Sequence, residues 1–353
     1  MRALVTGAAG LVGSSMVRLL SKQGFELITV DNYLRGQIFG PEGDTRPTMD
    51  ALRKEARVDH HVMDVRDPKV GELVEGVDLV VHTAAQPSHP RSIEIPVEDF
   101  EINARATLLL LEAVRRRAPQ AVFVYCSTNK VYGDVPNSFT YERVGRRYTP
   151  VDPTLRNGFD EGLRIDQCLH TPFGVSKAAA DLYVQEFGRL YGLRTGVFRM
   201  GCITGGAAMA VEQHNWEPYF VRKALNGERL TIFGYEGYQV RDVIHADDLS
   251  RLFLEFFRHP HPGEVYNAGG GPTNSTSLLE AIELIEGIVG RKMLVDHGPA
   301  REGDHMWYVS NLAKAQRHHP GWGITIGLPE IFRGIYQAQM GRPVAAPPHG
   351  SAR

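Results

Sequence analysis

Three glycines near the start of the chain, in Gly7-Ala-Ala-Gly10-Leu11-Val12-Gly13, follow the apolar run Ala3-Leu-Val-Thr6 and open a helical pattern. Glycines placed so permit a tight turn, close backbone approach to a pyrophosphate and packing of the helix on its strand. The helix's first N–H groups then face the phosphates. Alone the pattern is weak, because a glycine turn that merely packs a helix reads the same. Asp31 strengthens it, since it ends the next β-rich run, 18 residues beyond Gly13. There an acid can hydrogen-bond an adenosine ribose and would repel a 2′-phosphate. The chemistry indicated is dinucleotide binding, with NAD favoured over NADP. Arg35, four positions on, leaves room for some NADP. Asn32 adjoins the acid, and Asp64-Val65 either flanks the adenine or is an ordinary strand end. A metal site is not expected. His60-His61 and His318-His319 are adjacent pairs whose side chains diverge in a helix or a strand, and no HExxH or CxxC spacing occurs. Among 14 histidines, His89 is the one expected near a pocket.

These residues need a scaffold, and the patterning supplies one. Apolar β-rich runs at 3–6, 26–30, 60–63, 79–81 and 121–126 alternate with helical patterns at 11–21 and 100–117, which reads as βαβ units with a parallel sheet. The rhythm returns at 195–199 and 240–244, and beyond about 267 the chain reads as mostly helical, most clearly over 277–290. Two long irregular segments, 36–57 and 133–172, stand out, and the second is expected to cover a pocket. The tail, 340–353, has the composition of a disordered end. The chain has 353 residues, 42% of them hydrophobic, and 39 basic residues balance 41 acidic ones. That balance argues against a nucleic-acid partner, and the composition supports a full core. The three cysteines are scattered singly and no apolar run is long enough to span a membrane, so a cytoplasmic protein is expected.

In their order along the chain, the glycine turn, Ser127-Thr128-Asn129-Lys130-Val131-Tyr132-Gly133, Phe173-Gly-Val-Ser-Lys177 and Gln239-Val-Arg241-Asp242-Val-Ile-His245 resemble the extended short-chain dehydrogenase/reductase family. Within it the likeness is to the CDP-paratose/CDP-tyvelose 2-epimerase branch. His82-Thr83-Ala84-Ala85-Gln86-Pro-Ser88-His89 and residues 158–177 add to a similarity spanning 2 to about 339. The resemblance implies an α/β protein: a Rossmann doubly wound parallel sheet (1–199 plus about 238–266) with a smaller substrate-binding domain (200–237 and 267–339). It implies NAD held as a bound catalyst. A sugar hydroxyl is oxidised to a ketone, the ketone permits epimerisation or loss of water, and the hydride returns. Thr83, Ala84, Ala85 and Asn103 would join the cofactor contacts. Thr128, with Ser127 behind it, takes the role of the family's hydroxyl-binding residue. Lys177 matches the lysine that holds the nicotinamide ribose and acidifies a tyrosine four residues before it, on the same helix face.

That tyrosine is absent. Phe173 occupies its place, and a phenyl ring has no proton to move; losing a general base costs about 10²–10⁴-fold. Either the chain is a non-catalytic NAD-binding protein, or another group moves the proton. Candidates are Lys177, Lys130, Cys126, Cys202 and the segment holding Glu212 and His214, while Tyr125 and Tyr132 sit among packing neighbours. A lysine base requires a pKa lowered by burial or by a neighbouring positive charge. The family's 4,6-dehydratases carry Asp-Glu after the threonine, so Asn129-Lys130 favours an epimerase over a dehydratase. Arg241 and Arg301 match the family's diphosphate-binding arginines, whose forks suit phosphate. Ala207-Ala208 stand where the branch often has an arginine, and Cys202 and Thr204 replace its asparagine and tyrosine. A weakened clamp follows, with the sugar nucleotide or nucleoside left open. Gln86, Ser88, His89, Asn129 and Trp216, the last as a stacking wall, are expected at the substrate. Relatives pair through the helices at about 104–117 and 174–191, so a homodimer is expected.

Overall fold

A computed structural model describes residues 1–208, 211, 215–301 and 303–341. Glu212, His214 and all but the first two residues of the expected disordered tail therefore lie outside the described residues. The order begins β1 (Arg2–Thr6), α1 (Leu11–Lys22), β2 (Glu26–Asp31), α2 (Leu34–Phe39), α3 (Arg46–Glu55), β3 (Val58–Val62) and β4 (Leu79–His82). It continues with α4 (His89–Glu94), α5 (Pro96–Phe100), α6 (Ala106–Arg117), β5 (Val122–Thr128), the hairpin β6 (Tyr141–Val144) and β7 (Arg147–Pro150), α7 (Pro172–Tyr191) and β8 (Arg194–Met200). The last part holds β9 (Cys202–Thr204), α8 (Trp216–Asn226), β10 (Leu230–Phe233), β11 (Val240–His245), α9 (Ala246–Arg258) and β12 (Glu264–Ala268). After these come β13 (Ser275–Ser277), α10 (Leu278–Val289), β14 (Val295–Gly298), β15 (Trp307–Tyr308), α11 (Ala313–His318) and α12 (Leu328–Met340).

Seven strands form one parallel sheet in the order β12-β8-β5-β4-β1-β2-β3. Its central strands are apolar on both faces because both are covered, the edge strand β3 being polar and part-exposed, and the pleat sends neighbouring residues to opposite sides. Leu4, Val80, Phe123 and Tyr125 pack with Leu110, Leu111 and Val184 on one face. Ala3, Val5, Val81 and Val124 pack with Met16, Val17 and Phe253 on the other. A separate core joins Phe220, Val221, Ile232, Ile285, Phe332 and Ile335, from α8, β10, α10 and α12.

Three details differ from the sequence reading. Residues 36–57 are not irregular: α3 starts with a proline in its first turn, where the missing N–H costs nothing, and buries Met49 and Leu52. Residues 133–172 contain the β6–β7 hairpin, turned at Gly145 with φ +59°. β11 shares the apolar rhythm of the large sheet but pairs with β9, β13 and β15 in a small one, and short strands interrupt the helices after 267.

Candidate active site

The parallel strands end at one edge, and a cavity of about 500 Å³ opens there, lined from the β1, β2, β4, β5 and β8 ends together with β9, α8 and residues 301 and 304. Crevices outside the carboxyl ends of parallel strands are where such sheets bind ligands.

At one end lies the glycine turn. Gly7 has φ +67°, and a Cβ there would meet the Ala84 backbone nitrogen at 2.7 Å. A Cβ on Gly13 would meet the Gly7 carbonyl oxygen at 2.3 Å, so glycine at 13 allows the helix to lie against the turn. Gly10 caps α1 without a side chain, leaving the first N–H groups open beside Leu11 and Val12, which line the cavity. Asp31 fixes this geometry: its carboxylate accepts from the Ala9 N–H at 2.9 Å and the Tyr33 N–H at 2.8 Å, and burial raises its pKa. Asn32 donates to Asp64 at 2.9 Å, and Arg66, bonded to the same carboxylate, holds Asp64 below its usual range. Asp64, Val65 and Arg35 line the same end, where burial lowers Arg35 to about 10. A cradle that excludes side chains, a helix end with open N–H groups and a half-buried carboxylate together fit a dinucleotide.

Thr83, Ala84 and Ala85 form the adjoining wall, with the Thr83 hydroxyl donating to the Thr6 carbonyl at 2.7 Å. Gln86, Ser88 and Asn103 lie behind this wall and do not line the cavity. Asn103 accepts from the Gln86 N–H at 2.9 Å, and the Gln86 amide donates to Ser88 O at 2.9 Å and to Asp99 at 2.7 Å. These buried groups, with Ser176 of α7 bonded to Asp99, hold the wall against the helix that carries Phe173 and Lys177. Expected as ligand contacts, they are satisfied by one another.

At the other end Thr128, Lys177, Lys130, Phe173 and Asn129 meet. The Thr128 hydroxyl accepts from the Lys130 N–H at 3.2 Å, while Ser127 also lines the cavity but gives its hydrogen to Asp181 at 2.7 Å. Lys177 donates to the Cys126 carbonyl at 2.6 Å, 4.3 Å from the Tyr125 ring centroid, and burial lowers its pKa to about 8. Lys130 donates to the Gly303 carbonyl at 2.7 Å and is likewise lowered by burial to about 8, against the pull of Asp304. Burial pushes the Cys126 and Cys202 thiols up to about 12, which removes both as bases near neutral pH. Tyr125 is pushed well above its ordinary value and Tyr132 to about 12, in keeping with packing roles.

Arg241 and Arg301 both line the cavity. Arg241 already donates to the carbonyls of Val240 at 2.7 Å and His305 at 2.6 Å and pairs with Asp304, so much of its fork is engaged. Arg301 lies 4.0 Å over the Phe233 ring. Trp216 lines the cavity with its edge packed on Phe220, so wall and core roles coincide. Two titratable cavity residues escaped the sequence reading. Asp304 follows Arg301 by three residues, a spacing that could have flagged it. Glu217 is 1% exposed, burial pushes it up to about 8, and its Oε1 has no hydrogen-bond partner. Nothing in the sequence marked Glu217. Among the described residues no cluster of metal-ligating side chains occurs.

This sheet, with its glycine turn, carboxylate and buried lysine, defines a Rossmann-type dinucleotide-binding protein. The chain belongs to the NAD dependent epimerase/dehydratase family, whose model matches residues 3–269. It is 36% identical over 324 residues to a CDP-paratose 2-epimerase of Salmonella typhi, covering 89% of this chain and 92% of that protein. It is 28% identical to a dTDP-glucose 4,6-dehydratase of Streptomyces niveus, over 89% of this chain and 85% of that one. A double-mutant dTDP-glucose 4,6-dehydratase of Streptomyces venezuelae, solved with NAD bound, superposes with a TM-score of 0.78 at 25% identity over 97% of both chains.

Proposed function

We propose that the protein is an NAD-dependent epimerase of a sugar, carried on a nucleotide or nucleoside, that works by transient oxidation to a ketone. NAD, when bound, supplies the acceptor and later the donor of one hydride. The glycine turn and Asp31 hold its adenosine end, Thr128 orients the reacting hydroxyl, and Lys177 steadies the nicotinamide ribose. One observation carries the choice of epimerase over dehydratase: Asn129 and Lys130 follow Thr128 in the cavity, so the Asp-Glu carboxyl pair that the family's dehydratases carry there is absent, which disfavours elimination. The 36% identity to a 2-epimerase supports the same choice. Arg241 and Arg301 would meet the phosphates, with the cavity between the large sheet and the 200–237 and 267–339 segments as the cleft. We place the protein in the cytoplasm, consistent with three free cysteines, and pair it into a homodimer through the outer faces of α6 and α7.

The test is a panel of CDP-, UDP-, GDP- and dTDP-sugars and free nucleosides, each incubated with the protein and NAD in D₂O and read by mass and proton NMR. A new isomer without deuterium is expected, meaning oxidation at the inverted carbon itself. An isomer with deuterium would put the ketone at the neighbouring carbon, and loss of water would make the protein a dehydratase. If NAD binds and no sugar changes, Phe173 marks a non-catalytic NAD-binding protein and the proposal fails.

A further inference from the structure

Against the ring of Phe173 lies the imidazole of His89, with centroids 4.4 Å apart and planes at 52°. His89 opens α4, held by the Ser88 cap, and lines the cavity beside Lys130 and Asp304. Among the described residues neither ring nitrogen has a hydrogen-bond partner. The groups facing it are few. Lys130 and Asp304 stand on the cavity side. Behind lies His305, whose Nε2 bonds to the Gly133 carbonyl at 2.7 Å and whose pKa burial holds well down. Burial, reinforced by the Lys130 ammonium, drives His89 down to about 3, so it is a neutral imidazole at working pH. Such a ring carries one acceptor nitrogen and one N–H donor, the two functions that a phenol at position 173 would have combined.

We propose that His89 is the catalytic proton carrier at the reacting hydroxyl and passes the proton to Lys130. This rests on the epimerase reading. The hydroxyl proton moves to the bare nitrogen of His89 while the opposite nitrogen releases its own to Lys130, in the fraction of molecules in which burial has already left Lys130 an uncharged amine. The carbinol C–H bond leaves with its electron pair as hydride to NAD, and the C–O bond becomes C=O. The alcohol is oxidised, NAD is reduced, and the proton rests on Lys130 near the Asp304 carboxylate until the steps reverse. Lys177, one helical turn from Phe173, and Lys130 each give one N–H to a carbonyl, of Cys126 and of Gly303 respectively, but Lys130 is the lysine whose charge is felt at His89.

The test compares His89→Gln, Phe173→Tyr and the double variant on whichever panel sugar turns over. His89→Gln should lower kcat by about 10²–10⁴-fold with KM little changed. Phe173→Tyr added to it should restore at least about tenfold, because a phenol again reaches the hydroxyl. Parent-like kcat in His89→Gln overturns the proposal, and so does a loss that Phe173→Tyr does not rescue, since that is what a packing role gives. Loss on Lys177→Met together with parent-like kcat in Lys130→Met would assign the proton to Lys177 instead. A second arm needs no turnover. Ring-nitrogen NMR of the ¹⁵N-histidine protein with NAD should show His89 neutral from about pH 8 down to about pH 5, its signal assigned by its loss in His89→Gln. Adding UDP-glucose or CDP-glucose, whichever binds, should shift the acceptor nitrogen. An imidazole charged at pH 7, or one that does not respond to a bound sugar nucleotide, overturns the proposal even if the epimerase reading has already failed.

Discussion

Glu217 is buried in the cavity wall with its Oε1 lacking a hydrogen-bond partner, and its burial has a consequence for stability as well as for the site. In the unfolded chain it titrates near 4.5, and in the folded protein near 8. Between those values the unfolded chain releases a proton that the folded protein retains, so folding is penalised more strongly as pH rises through that window. Each pH unit is worth about 1.4 kcal/mol, which makes several kcal/mol an upper bound near pH 8. Glu217→Gln keeps the shape and the donor while removing the titration. The variant should be markedly more stable than the parent at pH 8, with the difference shrinking to near zero at about pH 4.5. Urea unfolding at the two pH values checks this; a constant difference would mean that Glu217 is ionised in the folded protein.

At the scale of elements, α7 carries Phe173 and Lys177 and must be held in register with β5, which carries Thr128. Asp181 makes that joint. It accepts from Ser127 of β5 at 2.7 Å, from the Arg199 fork of β8 at 3.0 Å twice, and from Gln185 at 2.6 Å. The pair is fully buried, and removing one partner leaves the other charge uncompensated, a loss of about 3–5 kcal/mol. Asp181→Ala should show that loss in denaturant unfolding; a loss below about 1 kcal/mol would mean water reaches Arg199. The sequence carried much of this frame. The glycine turn and Asp31 lie at the strand-to-helix turn and the strand end that the pattern predicts, and Phe173 and Lys177 lie one turn apart on α7, because each placement depends on local geometry. Strands β13 and β15 did not, since three and two residues are too few to show a period. Gln86 and Ser88 are expected at the substrate on the family resemblance of the 82–89 stretch; only the fold reveals that Asp99 and Asn103 satisfy Gln86, and that Gln86 and the Arg91 N–H satisfy Ser88. Asp304 and Glu217 are far from Phe173 in sequence, Glu217 by 44 positions, so their convergence is a property of the tertiary structure alone, whereas His89 carried a signal in its place after Gln86 and Ser88.

At the scale of the whole molecule, α7 has two faces with different duties. Phe173 and Lys177 look into the cavity, whereas Val175, Leu182, Tyr183, Leu190 and Tyr191 are exposed, as is Leu109 of the neighbouring α6. Steps of seven and eight residues keep those positions on one side of a helix, so they form a continuous apolar stripe rather than scattered surface residues. Stripes of that kind mark interaction surfaces, and a two-fold pairing in which each α6–α7 face covers its counterpart is the simplest closure. The proposed homodimer would therefore brace, from outside, the same helix that presents Phe173 and Lys177 within. Light scattering should give twice 39.2 kDa for the parent protein. Leu182→Lys combined with Leu190→Lys should return it to a single-chain mass while NAD still binds, because the glycine turn and Asp31 lie on other elements. Thermal unfolding of that monomer should begin at lower temperature and become independent of protein concentration, as expected once mass action no longer supports the folded state. A parent protein of single-chain mass at micromolar concentration would contradict the pairing.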